Sequence, residues 1–224
     1  MPQSTITAEA VTAALQASFA AARGSEQPYK HWFVDNCLPP AALDAAIDLP
    51  FAAPALDGVS GRREVHNATR KYFDVENRSK FKVAGAMADA LQSETVTRSI
   101  EKTFGSKLDG TYLRIEYAQD INGFWLEPHT DLGVKLFTFL LYLSKDAQHA
   151  DLGTDIYDTG KKHVARSPFK PGGAMIFVPS GITYHGFEAR KIEGVRKSII
   201  INYVSSEWKA REQLAFPDKP IRHS

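Results

Sequence analysis

The spacing of apolar residues changes near the middle of the chain. In the first half, apolar side chains recur every three or four positions, as at Val11, Leu15 and Phe19, which is typical of an amphipathic helix. This spacing predicts a first helix that stops at Gly24 and a second that begins at a proline pair, since proline is tolerated in a first turn. The predicted helices cover residues 7–23, 39–47, 78–91 and 94–104.

Short apolar runs divided by turn residues replace the helical spacing after about Thr111. The runs are rich in β-branched and aromatic residues, and glycine and proline separate them, so they predict strands. The predicted strands cover residues 31–35 and 71–75, then 111–118, 135–144, 174–179 and 197–204. Residues 50–61, with their prolines and glycines, predict a loop.

Helices followed by many strands predict a mainly β fold with helices (α+β), in which a jelly roll is buttressed by N-terminal helices. We expect one domain over residues 1–224, with a mostly helical region at 1–108 and the jelly-roll core at 109–206. No repeat or low-complexity linker divides the chain.

Composition narrows the classes of function. The 224 residues include 27 basic and 26 acidic side chains, for a net charge of +1, so no broad field attracts nucleic acid or an anionic membrane. A single cysteine, Cys37, allows neither an internal disulfide nor a thiolate zinc site. The sequence shows no secretory signal and no membrane span. We therefore predict a cytoplasmic protein, and composition leaves its oligomeric state open.

Three side chains form a candidate metal site. His129 and Asp131 are two residues apart, so in an extended strand they point to the same side. His185 follows a predicted strand and a turn, and an antiparallel roll can return it beside them. Two imidazoles and one carboxylate make a facial triad, which favours non-heme Fe(II), although zinc accepts the same ligands.

Arg196 and Ser198 form a candidate carboxylate clamp. They are two apart on the last predicted strand and share a face, and a guanidinium fork beside a hydroxyl suits a carboxylate in an apolar interior. A dicarboxylate whose other end chelates the metal would satisfy this arginine. The alternatives are that Arg196 lies on a solvated edge while Lys197 faces inward, or that Arg190 is the clamp.

These residues resemble a known family. His129-Thr130-Asp131, then His185, then Arg196-Lys197-Ser198 resembles the 2-oxoglutarate/Fe(II)-dependent oxygenase superfamily, and the strand order resembles its prolyl-hydroxylase-like branch. The resemblance covers about residues 111–204, with a weaker similarity at 31–35. It implies a double-stranded β-helix, Fe(II) as the cofactor, 2-oxoglutarate and O2 as cosubstrates, and hydroxylation of an unactivated C–H bond with release of succinate and CO2.

The resemblance also implies roles for other residues. Tyr117 and Tyr142 are candidates for hydrogen bonds to the cosubstrate, against the alternative of core tyrosines bonded to backbone. The candidate substrate contacts are Trp125, Lys135, Asp155 and Tyr157. The stretch from 145 to 168 is a candidate lid, in which His149 and His163 are expected to be exposed. We expect the substrate to be a small or amino-acid-like molecule.

Two other classes of function fit part of the pattern. A cupin-like hydrolase or isomerase that uses zinc or manganese explains the triad but leaves Arg196 without a task. A non-catalytic jelly-roll binding module has no need of three metal-ready side chains. Binding of 2-oxoglutarate and formation of succinate would separate these alternatives from an oxygenase.

Overall fold

The computed structural model describes residues 6–53, 70–131 and 133–223. Side chains cap the starts of several helices: Thr7 accepts a hydrogen bond from the Ala10 amide, and Ser93 accepts one from the Val96 amide. The described residues form the helices α1 (Ala8–Ala20), α2 (Pro40–Ile47), α3 (Val75–Lys80), α4 (Lys82–Gln92) and α5 (Glu94–Phe104).

The strands form two antiparallel sheets. They are β1 (Arg23–Ser25), β2 (His31–Val34), β3 (Lys71–Tyr72), β4 (Tyr112–Asp120), β5 (Leu126–His129), β6 (Lys135–Tyr142), β7 (Asp155–Tyr157), β8 (His163–Arg166), β9 (Ala174–Phe177), β10 (His185–Phe187) and β11 (Arg196–Val204). The seven-stranded sheet has the order β1-β2-β9-β6-β11-β4-β3, and the four-stranded sheet has the order β5-β10-β7-β8. The predicted jelly roll with helices is therefore confirmed.

The large sheet lies between two layers. Its odd-numbered residues on β4 and β11, such as Leu113, Ile115 and Ile201, pack with the helices in one hydrophobic core. On the other face, Leu140, Phe177 and residues of the small sheet form a second core. Successive side chains of a strand point to opposite faces of the sheet. On β4 and β11, one residue therefore faces the helices and the next residue faces the small sheet.

The predicted boundaries differ from the structure near the N-terminus. The first helix ends at Ala20, and Gly24 lies instead in β1, opposite Trp32 of β2. A Cβ atom at Gly24 would lie 3.0 Å from the Trp32 indole nitrogen, so this glycine serves close packing and does not end the helix.

Two further boundaries differ between residues 71 and 91. The predicted strand over 71–75 shortens to β3 because the Asp74 carboxylate caps α3 by accepting from the Asn77 amide. Phe81, with φ −112° and ψ 116°, divides the helix predicted over 78–91 into α3 and α4. Residues 54–61 of the predicted loop lie outside the described residues.

The segment from 145 to 168 is more ordered than the lid expected there, since it contains β7 and β8. His149, expected to be exposed, is 2% exposed and bonds the Glu193 carbonyl through Nε2. Residues beyond the predicted core also belong to the fold. Ala215 donates its amide to the Leu113 carbonyl, which joins the C-terminal segment to β4.

Candidate metal centre and its cavity

The predicted metal ligands converge between β5 and β10. His129 ends β5 and is the direct antiparallel partner of His185 in β10, which brings their ring centroids to 4.4 Å. Asp131 follows β5. One ligand atom from each of the three side chains lies within 4.8 Å of the others, a spacing at which one ion could bind all three.

Backbone carbonyls orient both imidazoles. Nδ1 of His129 lies 2.9 Å from the Glu127 carbonyl oxygen, and Nδ1 of His185 lies 3.0 Å from the Thr183 carbonyl oxygen. A carbonyl only accepts hydrogen bonds, so each Nδ1 carries the proton and each Nε2 keeps a lone pair. Histidines that bind metals are oriented in this way by hydrogen bonds to their other nitrogen.

The third candidate ligand, Asp131, is held by two side chains of β6. Lys135 donates to one carboxylate oxygen at 2.7 Å, and Thr138 donates to the other at 2.6 Å. The side chains of Asp131 and Lys135 are 2% and 7% exposed. Lys135, a predicted substrate contact, thus lies on the cavity wall and has the candidate metal ligand itself as an ion-pair partner.

A cavity of about 270 Å³ opens beside these ligands, between the two sheets. The triad lies on its wall together with apolar side chains that limit the access of water. The apolar part of the wall is formed by Phe124, Leu126, Leu140, Phe187 and Ile200. Trp208, Ala210 and Gln213, from the C-terminal segment beyond the predicted core, complete the wall.

Arg196 and Ser198 face this cavity from the start of β11. Arg196 is 6% exposed, which places its guanidinium inside the molecule. Its Nε donates to the Leu152 carbonyl at 2.7 Å, and its Nη1 donates to Asp120 Oδ2 at 2.5 Å. Nη2 is the guanidinium nitrogen left without a described partner. The alternative clamp, Arg190, instead donates to Asp155 and lies outside the cavity lining.

Charged residues on β4 extend from Arg196 along the cavity. We call Arg70, Arg114, Glu116, Asp120 and Arg196 the charged wall; all five line the cavity. Arg70 bridges two carboxylates, with Nε 3.3 Å from Glu116 and Nη2 3.1 Å from Asp120. Arg114 donates to the other oxygen of Glu116 at 2.5 Å. Apart from Arg196, these residues were not among the predicted site residues, although Arg114, Glu116 and Asp120 follow the period of two that puts them on one face.

Glu116 of the charged wall is held in its ionised form. Burial disfavours the charge on Glu116, but Arg114 and Arg70 outweigh burial and hold its pKa below the usual value. Burial likewise acts to lower the pKa of Arg70, and Asp120 and Glu116 more than offset it, so that pKa is raised. Arg70 and Glu116 therefore stabilise each other's charged form.

The polar contacts continue from the charged wall to the triad. Arg114 donates to the Asn202 side-chain oxygen at 3.2 Å, and the Asn202 amide donates to Thr138 at 3.0 Å. Thr138 in turn donates to Asp131. One chain of hydrogen bonds and ion pairs thus links Asp131, the candidate metal ligand, to Arg196.

The prediction that Tyr117 contacts the cosubstrate is wrong. Tyr117 shares a face with Leu113 and Ile115, as expected, but that face packs on the helices, and the Tyr117 hydroxyl donates to the Ala46 carbonyl at 2.9 Å. Tyr142 does lie on the cavity side of its sheet. Its hydroxyl is buried between Thr154 and Ser167, at 2.9 and 2.5 Å, and it lies outside the cavity lining.

Three predicted substrate contacts also lie outside the cavity lining. Trp125 is 37% exposed at the surface, while its neighbours Phe124 and Leu126 line the cavity. Asp155 is fully buried, and its carboxylate accepts from Arg166 at 2.7 Å and Arg190 at 2.6 Å.

Tyr157 is buried and packs against His163. The Asp155 carboxylate joins β7, β8 and the segment after β10. This part of the small sheet is therefore a structural ion-pair centre rather than a substrate surface.

No family model matches the sequence, and no curated protein sequence matches it. The structure does match solved structures. A prolyl 4-hydroxylase from Phytophthora capsici has a TM-score of 0.60 and 12% identity, over 92% of this chain and 68% of that one. A prolyl-4-hydroxylase from Pseudomonas putida has a TM-score of 0.55 and 15% identity, over 87% and 94%.

A prolyl hydroxylase from Trichoplax adhaerens, solved with a peptide of the hypoxia inducible factor, has a TM-score of 0.57 and 13% identity, over 89% of this chain and 90% of that one. The chain therefore has the prolyl hydroxylase fold, as its strand order and motifs predicted.

Within the described residues, no helix has the length and apolarity to cross a membrane.

Proposed function

We propose that this protein is an Fe(II)- and 2-oxoglutarate-dependent oxygenase that hydroxylates a C–H bond of a small or amino-acid-like substrate in the cytoplasm. The observation that carries the proposal is the convergence of His129, Asp131 and His185 on one wall of a cavity that also contains Arg196. The shared fold with three prolyl hydroxylases supports it.

The candidate ligands fit an iron ion. Two imidazoles, each with a lone pair on Nε2, and one carboxylate supply three donors, and a facial set of this kind leaves other coordination positions open. Lys135 and Thr138 hold Asp131 in place, while the Glu127 and Thr183 carbonyls hold the rings. These partners keep the ligands positioned before the metal arrives.

The other end of the cavity fits a carboxylate of the cosubstrate. Arg196 offers Nη2, and Ser198 offers a hydroxyl on the same face of β11. When bound, iron and 2-oxoglutarate supply the oxidising chemistry, with succinate and CO2 as coproducts. The protein contributes orientation and exclusion of water, through the buried guanidinium and through Phe124, Leu126 and Phe187.

One observation favours a second candidate. Arg196 already pairs with Asp120, so its guanidinium has an internal carboxylate partner even without a cosubstrate. This leaves room for a metal-dependent hydrolase or isomerase of the cupin type, which would use the triad and not the clamp. Binding of 2-oxoglutarate separates the two candidates.

The test is calorimetric titration of 2-oxoglutarate into the Mn(II)-loaded protein without oxygen, followed by measurement of succinate with Fe(II) and O2. We expect metal-dependent binding that Arg196→Gln weakens at least about tenfold, the loss of one charge-assisted hydrogen bond. Arg98→Gln, which removes an exposed guanidinium that pairs with Glu94 on the same helix, is the matched control. A metal site that binds no 2-oxoglutarate would exclude the oxygenase and favour the second candidate.

A further inference from the structure

The cavity has an excess of positive charge. Its described lining carries four cationic side chains, from Arg70, Arg114, Lys135 and Arg196, and three carboxylates, from Glu116, Asp120 and Asp131. Lys135 and Asp131 compensate each other, which leaves three guanidiniums and two carboxylates on the charged wall. An enclosed charge without a counter-charge is costly, so this lining favours binding of an anion.

Arg70 is the side chain on which the excess is localised. It is 8% exposed, and two of its nitrogens face Glu116 and Asp120. The third, Nη1, is buried and has no hydrogen-bond partner among the described residues. A buried donor on a charged group that lacks an acceptor is unfavourable, and an oxyanion in the cavity would supply the acceptor.

The fork of Arg70 is already oriented for this task. Glu116 and Asp120 lie on one face of β4 with Ala118 between them, so the guanidinium that bridges them lies across a small side chain. The guanidinium carbon of Arg70 also lies 5.7 Å from the centre of the Phe124 ring. Fixed on two sides, Arg70 loses little conformational entropy when it binds a planar carboxylate.

We infer that the substrate carries a carboxylate and that Arg70 binds it. The inference rests on the proposed function, because Fe(II) and the dianion of 2-oxoglutarate cancel each other's charge and leave the single excess charge for the substrate. One excess charge matches a monocarboxylate better than a phosphate, which brings a charge of about −1.5 to −2. Arg70 is then a residue that determines substrate specificity.

The test compares small monocarboxylates with their amides. Acetate, propionate and butyrate, and the corresponding primary amides, are titrated into the protein loaded with Mn(II) and saturated with 2-oxoglutarate without oxygen, so that the cosubstrate position is filled. We expect the carboxylates to bind at least tenfold more tightly than the amides. Arg70→Gln should abolish this preference, and Arg98→Gln should keep it.

Two further variants guard against a folding defect. Arg70→Lys keeps the charge but loses the fork, so it should retain part of the carboxylate preference with a melting temperature near that of the wild type. Glu116→Gln removes a compensating carboxylate, and it should bind acetate at least as tightly as the wild type. A Glu116→Gln protein that loses acetate binding would contradict the charge argument.

The inference fails if carboxylates and amides bind equally, if Arg70→Gln keeps the preference, or if sulfate binds more tightly than acetate. Titrations of metal and of 2-oxoglutarate on the same samples report separately on the proposed function. If they show no binding, the monocarboxylates are titrated without cosubstrate. An Arg70-dependent preference in that case would retain the anion site and reject the oxygenase.

Discussion

The two sides of the cavity differ in what holds their polar groups. On the small-sheet side, His129 and His185 are adjacent in register and each is fixed by a carbonyl two residues earlier in its own strand or turn. The charged wall is held by ion pairs between distant segments, such as Arg196 with Asp120 and Arg70 with Glu116. On the first side the orientation of each imidazole comes from a local contact, whereas on the second the Arg196–Asp120 pair exists only once β4 and β11 have paired.

This difference predicts different responses to mutation. Loss of a group on the small-sheet side should affect ligand binding more than folding, because the neighbouring contacts remain local. Loss of a carboxylate from the charged wall should affect stability as well, because its removal leaves buried guanidiniums without counter-charges.

The largest expected effect is on metal binding. Asp131→Ala removes one of three candidate ligands, and we expect metal affinity to fall by more than about a hundredfold, since the loss of only a supporting partner costs about 10–100-fold. Asp131→Ala also removes the buried carboxylate that pairs with Lys135, so the free energy of unfolding should fall as well. Metal titration with Mn(II), monitored by calorimetry, measures the effect. Glu207→Gln, at an exposed carboxylate, is the control, and equal affinities of Asp131→Ala and the wild type would remove Asp131 from the site.

The second effect separates stability from ligand binding. Asp120→Asn removes the carboxylate that Arg196 and Arg70 share. We expect the free energy of unfolding to fall by about 2 kcal/mol. Breaking a fully enclosed pair costs ~3–5 kcal/mol, and the cost is lower here because the cavity admits water. Affinity for 2-oxoglutarate should rise, because the internal competitor for Arg196 is gone. Urea denaturation and calorimetry measure the two quantities. Weaker 2-oxoglutarate binding would show that Asp120 supports the clamp rather than competing with it.

The sequence allowed the triad and Arg196 to be predicted, but not the other four residues of the charged wall. The triad could be predicted because strand alternation relates His129 to Asp131 and because two imidazoles with one carboxylate form a facial ligand set. Asp120 meets Arg196 through the register of β4 with β11, a pairing between segments far apart in the sequence. The C-terminal contribution of Trp208 follows no periodic pattern, so nothing in the sequence placed it at the cavity.

The third effect is a pH dependence from the charged wall. Arg114 and Arg70, acting against burial, lower the folded-state pKa of Glu116 below its unfolded value. Glu116 therefore stabilises the fold above its unfolded pKa, and this stabilisation is lost as the pH falls towards its folded-state pKa. Glu116→Gln should reduce the slope with which the free energy of unfolding falls at acid pH, by at most about 1.4 kcal/mol per pH unit. Urea denaturation between pH 7 and pH 3 measures the slope, and parallel curves for the variant and the wild type would contradict the prediction.

The smallest effect tests which face of β4 belongs to the site. The alternation of side chains along β4 correctly grouped Tyr117 with Leu113 and Ile115. It does not tell which of the two faces lines the cavity. In the structure, Glu116 and Ala118 of the opposite face line it. Tyr117→Phe removes a hydrogen bond to the Ala46 carbonyl, so we expect a loss of about 1 kcal/mol in the free energy of unfolding. Affinity for 2-oxoglutarate should be unchanged, in contrast to Arg196→Gln. A fall in that affinity without a change in stability would contradict the placement of Tyr117 in the core.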